Sequence, residues 1–119
     1  MSLIRSVVIA SPEAFAKRRL GQLLSLIDRY RLDLYDLYAV SATSEDLYEF
    51  FELVGDIPDA HAVEALLEGK ILVVGVETQD ALAMVGFKGV LKEVGGLGKT
   101  RVYDASNKKV SEFWFGKSA

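Results

Sequence analysis

The chain contains no cysteine. That excludes disulfides and thiolate metal ligands. It contains one histidine, His61. A lone imidazole makes no metal site without carboxylate partners, and Asp56, Asp59 and Glu64 show no familiar ligand spacing around it. No excess of positive charge is present: the net charge is −3, which gives no general attraction to nucleic acid or anionic lipid. Apolar runs such as Ile71 to Val76 are far too short to span a bilayer. The opening Met1-Ser2-Leu3-Ile4-Arg5 lacks the basic-then-apolar pattern of a signal peptide. The expectation is a cytoplasmic protein with no membrane and no nucleic-acid partner.

What is present is core-forming material. Of 119 residues, 50% are hydrophobic, enough to bury one core and too few for two domains. A single domain over 1–119 is expected, with no repeat and no linker. Ile4, Val7, Val8 and Ile9 predict a strand over 3–10, apolar enough to be buried on both faces. Ser11-Pro12-Glu13 then reads as a helix start: a capping residue, a proline at the first helical position and an acid at the positive dipole end. The helix is expected to run from Pro12 to about Tyr30. Its apolar face would be Ala16, Leu20, Leu23, Leu24, Ile27 and Tyr30, with Gly21 marking close approach by another backbone.

Leu32 to Ser41 alternates and predicts a second strand near a sheet edge, with Leu34, Tyr38 and Val40 on one face and Tyr35, Leu37 and Ala39 on the other. Thr43 or Ser44 caps a helix carrying Leu47, Phe50, Phe51 and Val54. A short helix over 60–68 ends at Gly69. Strand 71–76 follows, then a helix over 79–94 capped by Thr78, a glycine-rich connection, strand 100–103 and a last helical turn over 107–113. Without the extra helices, the order is β-α-β-β-α-β. That is the ferredoxin-like α+β pattern, an antiparallel sheet with helices on one face.

Several segments resemble the nucleoside diphosphate kinases. Val7-Val8-Ile9-Ala10-Ser11-Pro12-Glu13, a spacer and Gly21-Gln22-Leu23-Leu24 resemble that family's apolar strand, Lys-Pro-Asp, spacer and Gly-Glu-Ile-Ile. Ala42-Thr43-Ser44-Glu45-Asp46-Leu47 resembles its Ala-Thr/Ser-Glu-Glu-Leu opening of a helix. Glu68-Gly69-Lys70 with the apolar run to Glu77 resembles its third strand, and Phe113-Trp114-Phe115 its closing Leu-Trp-Phe. The resemblance implies the ferredoxin-like fold already read from the pattern. It also implies nucleotide binding and a homo-oligomer that pairs through the second strand.

The functional residues depart from the family. Tyr103, in Tyr103-Asp104-Ala105-Ser106-Asn107, occupies the position of the phosphoryl-accepting histidine. A phenol with pKa near ~10 is a poor acceptor beside an imidazole near ~6.5. Ser11 replaces the phosphate-holding lysine, the base-stacking aromatic falls near Ala60 or His61, and the phosphate-binding arginine falls near Gly86 or Phe87. Phosphoryl transfer rests on positioning and charge stabilisation, so these losses together imply that no catalytic residue remains. Ser11, Lys17, Arg18, Lys99 and Arg101 are the candidates for residual nucleotide or anion binding. No cofactor is expected beyond magnesium accompanying a nucleotide.

Gly95-Gly96-Leu97-Gly98-Lys99-Thr100 resembles a phosphate-loop fragment, but Glu93 stands where that motif needs glycine. A flexible loop and a weak anion nest are the remaining readings. Tyr30, Tyr35, Tyr38 and Tyr48 suit either half-buried packing or an interface. The expected function is a degenerate nucleoside diphosphate kinase-like protein that binds an anion weakly or acts as an oligomeric module. The alternatives are a ferredoxin-like sensing or assembly module unrelated to nucleotides, and a divergent phosphotransferase using His61.

Overall fold

Val7, Val8, Ile9 and Ala10 are all fully buried, as are Ile71, Val73, Val74 and Val76. Side chains alternate along a strand, so unbroken burial means that both faces of these two strands are covered. They are the central pair of the sheet. The computed structural model describes residues 3–95, 97 and 99–118. Its elements are β1 (Ile4–Ala10), α1 (Pro12–Ala16), α2 (Leu20–Arg29), β2 (Asp33–Val40), α3 (Ser44–Val54), α4 (Ala60–Leu67), β3 (Ile71–Thr78), α5 (Ala81–Leu91), β4 (Arg101–Asp104) and α6 (Lys108–Ser118). The sheet order is β2-β3-β1-β4 and every pairing is antiparallel. This is the ferredoxin-like order predicted from the sequence.

Helices lie on both faces, not one. Val8, Ala10, Leu72, Val74 and Val76 pack with Leu23, Leu26 and Ile27 of α2 and with Met84, Phe87 and Leu91 of α5. Val7, Ile9, Ile71, Val73 and Tyr103 pack with Leu47, Phe50 and Phe51 of α3, Val63 and Leu66 of α4, and Val110, Trp114 and Phe115 of α6. The added helices cover the second face because β1 and β3 carry apolar side chains there. Leaving such a side chain in water would forgo about 1.5–3 kcal/mol.

The helix expected over 12–30 is two helices. α1 closes in a Schellman motif: Arg18 N–H donates to the Phe15 carbonyl at 3.1 Å and Arg19 N–H to the Ala14 carbonyl at 2.8 Å. Arg18 takes the left-handed conformation, φ 56°. Arg31 closes α2 in the same way, at φ 58°, with Leu32 N–H on the Ile27 carbonyl at 3.0 Å. The kink puts Leu26 in the core and leaves Leu24 37% exposed. Gly21 faces open space; the close approach occurs instead at Gly86, where a Cβ would lie 2.7 Å from the Tyr30 ring.

β2 is an edge strand, as read from its charges. Its predicted faces are changed by a register shift between Leu34 and Asp36. One extra residue at a bulge reverses the alternation beyond it. Tyr35 therefore joins Tyr38 and Val40 on the α6 side. Tyr35 lies over Gly75, where a Cβ would sit 2.4 Å from the ring. Asp80, not Thr78, caps α5, its Oδ1 accepting from Leu82 N–H at 3.0 Å. α6 runs through the closing aromatics because Val110, Trp114 and Phe115 recur at helical spacing on its buried side.

Candidate functional site

Ser11 follows the last residue of β1 and stands at the N-cap of α1, with extended backbone (φ −71°, ψ 165°). Its side chain makes no capping bond. The residue is only 3% exposed, and its Oγ is buried without a hydrogen-bond partner. Burying a hydroxyl unpaired costs on the order of 1–3 kcal/mol, so such an atom calls for an explanation. A second orphan lies close by: Thr100 Oγ1 is also buried and unpartnered. Thr100 immediately precedes β4, and β4 places Arg101 opposite Ile9 of β1.

Ser11 and Thr100 both line one cleft of about 430 Å³ at the C-terminal end of β1. Lys99, Arg101, His61 and Asp59 share its walls, and Ala65 and Leu66 of α4 supply apolar surface. Asp59 is engaged as the cap of α4, its Oδ1 accepting from Ala62 N–H at 2.9 Å. Lys99 is tied loosely to Glu13, Nζ to Oε2 at 3.9 Å. Among the described residues, no carboxylate lies within ion-pairing distance of Arg101. The residues of the cleft thus include two cationic groups and two buried hydroxyls without a hydrogen-bond partner among the described residues. Hydroxyls, lysine and arginine together suit an anionic oxygen ligand.

Of the five binding candidates, Ser11, Lys99 and Arg101 meet in this cleft; Lys17 and Arg18 do not line it. Lys17 is spent on Glu13, Nζ to Oε1 at 2.8 Å. That hydrogen bond, with the lysine charges nearby, holds the Glu13 carboxyl below its ordinary range. Arg18 closes α1. His61 reaches the cleft rim with its side chain 97% exposed, 3.9 Å from Glu64.

Tyr103 lies inward of the cleft, in the core. It is 7% exposed and meets Phe50 edge-on at 5.4 Å and Phe51 at 6.0 Å. Burial pushes its phenol up, and the Arg101 charge offsets part of that effect. Among the described residues, no group bonds its oxygen in good geometry, although the Arg101 guanidinium lies close enough to favour the phenolate. A buried phenol with a raised pKa is no nucleophile at neutral pH. The resemblance implies an arginine near Gly86 or Phe87; Phe87 belongs to the core on the other face of the sheet, and Gly86 lies against the Tyr30 ring.

The phosphate-loop reading fails on order, since that motif needs a strand before the loop and a helix after it. Here α5 precedes and β4 follows. Gly96 and Gly98 of the proposed nest lie outside the described residues. Thr100 and Asp59 were not singled out as site residues from the sequence. The sequence signals for Thr100 were its position between Lys99 and Arg101 and its place at the end of the phosphate-loop-like fragment. Among the described residues, no three His, Asp or Glu side chains are grouped to hold a metal ion, and no helix is long and apolar enough to cross a membrane.

An antiparallel β2-β3-β1-β4 sheet covered on both faces, with a cleft where β1 ends and β4 begins, defines a ferredoxin-like α+β domain with a ligand-sized opening. Within that class the fold is that of the nucleoside diphosphate kinases. The chain superposes on the enzyme from Encephalitozoon cuniculi with a TM-score of 0.73 and 18% identity, over 95% of this chain and 89% of that one. The enzyme from Aquifex aeolicus gives 0.68 and 18%, over 99% and 96%. No family model matches the sequence, and no curated protein sequence matches it.

Proposed function

We propose that this chain is a divergent relative of the nucleoside diphosphate kinases that binds a nucleotide or other small anion in the cleft and does not transfer phosphoryl groups. The observation that carries the reading is the pair of buried, unpartnered hydroxyls of Ser11 and Thr100 beside Lys99 and Arg101 in one cleft. A phosphate would supply acceptors to all four. The loss of transfer follows from Tyr103, which stands in the aromatic core where the resemblance aligns the family's histidine. Magnesium would enter with a nucleotide's phosphates, in the manner usual for that ion.

Thermal unfolding with and without magnesium, against a panel of nucleoside mono-, di- and triphosphates, tests the reading. A ligand at a hundredfold its dissociation constant adds roughly 2.7 kcal/mol, a rise on the order of 10 °C for a domain of this size. A rise that Arg101→Ala removes supports the reading; no rise with any nucleotide or with phosphate at millimolar levels rejects it. A phosphotransfer assay decides the second half. Turnover lost in His61→Ala would favour the divergent enzyme instead.

A second reading, an oligomeric interaction module, draws on β2. This edge strand leaves Leu34 49% and Leu37 46% exposed. Edge strands with apolar side chains are templates for pairing with another chain. The two readings are compatible in one molecule.

A further inference from the structure

We infer that the anion cleft continues into a second site, a groove between α1 and α4 that takes the organic part of a phosphomonoester; this rests on the anion reading above. The groove has a volume of about 530 Å³. It shares Ser11, Ala65 and Lys99 with the cleft, so the two openings meet along one ridge. Each falls in the range of small-molecule sites, about 300–1,000 Å³.

The two halves differ in chemistry. The cleft presents cations and orphan hydroxyls. The groove presents Pro12, Phe15, Ala16 and Gly69. Phe15 is held from behind by the core on the α2 side, so its ring offers a fixed apolar surface. Gly69 brings no side chain to the groove, and a Cβ there would already touch Pro12 at 3.4 Å. A ligand with a phosphate at Lys99 and Arg101 and a ring on the Phe15 wall would satisfy both halves.

The groove's rim narrows the choice of ring. Glu13 and Glu68 line it together with Lys70 and Lys99, and Glu13 is kept ionised by Lys17 at 2.8 Å, so the rim carries both signs of charge and no excess of either. Carboxylates accept hydrogen bonds and repel further negative charge. The organic part should therefore be neutral and carry N–H or O–H donors. The carboxylates of Glu13 and Glu68 offset Lys70 and Lys99 there, so the groove adds no net positive charge to hold the further phosphates of a polyphosphate, and a single phosphate is the better fit. On the cleft's side the ring-bearing residue is His61, whose side chain is almost wholly in solvent, beside the small apolar surface of Ala62, Ala65 and Leu66. It gives a ring little fixed surface.

The test compares inorganic phosphate, AMP and ATP on the full chain by isothermal titration calorimetry. AMP is expected to bind at least about tenfold more tightly than phosphate and more tightly than ATP. Ala16→Trp, on an exposed position at the groove, should abolish the AMP advantage and leave phosphate affinity unchanged. Glu68→Tyr, on the other wall, gives an independent check should Ala16→Trp misfold. Arg101→Ala should weaken AMP and phosphate alike. If AMP gains nothing over phosphate, or if its gain survives both groove variants and disappears in His61→Ala, the groove is not used. The inference then falls while the anion reading stands. If neither phosphate nor any nucleotide binds, both fall.

Discussion

Arg18 and Arg31 hold left-handed backbone at φ 56° and 58°, where glycine is the usual occupant. Gly55 does the same work after α3, at φ 74°, with no such cost. A side chain in this conformation costs about 1–2 kcal/mol, and glycine's extra freedom in the unfolded chain returns part of that gain. Arg31→Gly should therefore stabilise the fold by about 0.5–1 kcal/mol, seen as a higher urea midpoint at constant slope. An unchanged or lower midpoint would mean that the arginine side chain contributes more than its backbone costs. Gly75 is the opposite case. Tyr35 covers it, fixed by its O–H on the Ser111 carbonyl at 3.3 Å, by Arg5 at 4.8 Å over the ring and by Phe115 edge-on at 5.7 Å. The ring cannot easily yield to a methyl group. Gly75→Ala should cost about 1–3 kcal/mol, whereas Gly89→Ala, in open space within α5, should be neutral or stabilising.

At the scale of elements, β2 carries the assembly reading. Leu34 and Leu37 face the α2 side of the sheet but extend beyond its cover. Charges at Asp33 and Asp36 frame them. If a second copy pairs along this edge, Leu37→Glu would place carboxylates into the joint and give a monomer by analytical ultracentrifugation. A wild-type chain that sediments as a monomer at tens of micromolar would remove the assembly reading. The strand's alternation and charges made its existence and its edge position legible. Its facing was not legible, because a bulge leaves no fixed residue signature and Tyr35 is placed by the gap at Gly75. The break between α1 and α2 was hidden for a related reason: Arg18 carries no glycine signal, and the lysine–arginine run is ordinary helix-surface composition.

At the scale of the whole molecule, the sheet buries phenols on the α6 side. Burial raises Tyr35 to about 12, with Glu77, Asp36 and Glu112 adding to the effect and Arg5 opposing it. Burial raises Tyr103 as well. In the unfolded chain both titrate near 10. Below that pH neither state has lost a proton, so these groups leave stability unchanged. Between about pH 10 and 12 the unfolded chain releases protons that the folded chain retains, and stability falls. Urea midpoints at pH 9 and 11 should show this decline, and Tyr35→Phe should shrink it. An equal decline in that variant would assign the loss to other groups.

The order of elements was legible from the sequence alone. Apolar runs in β1 and β3, the cap at Thr43 and the turn residues are local signals, set by backbone sterics and by burial. The absence of cysteine and of a histidine at position 103 likewise restricts the chemistry whatever the fold. The site was legible only in part. Ser11, Lys99 and Arg101 could be named, but their meeting with Thr100 and Asp59 depends on antiparallel pairing of β1 with β4 and on α4 packing across the strand ends. Lys17 looked equivalent to Lys99 in the sequence; both reach Glu13, at 2.8 and 3.9 Å, and of the two Lys99 lines the cleft while Lys17 does not. Those are long-range contacts, and no local pattern encodes them. The tertiary structure alone decided which cations face the cleft, because that choice is made by the packing of distant segments and not by the propensity of any one.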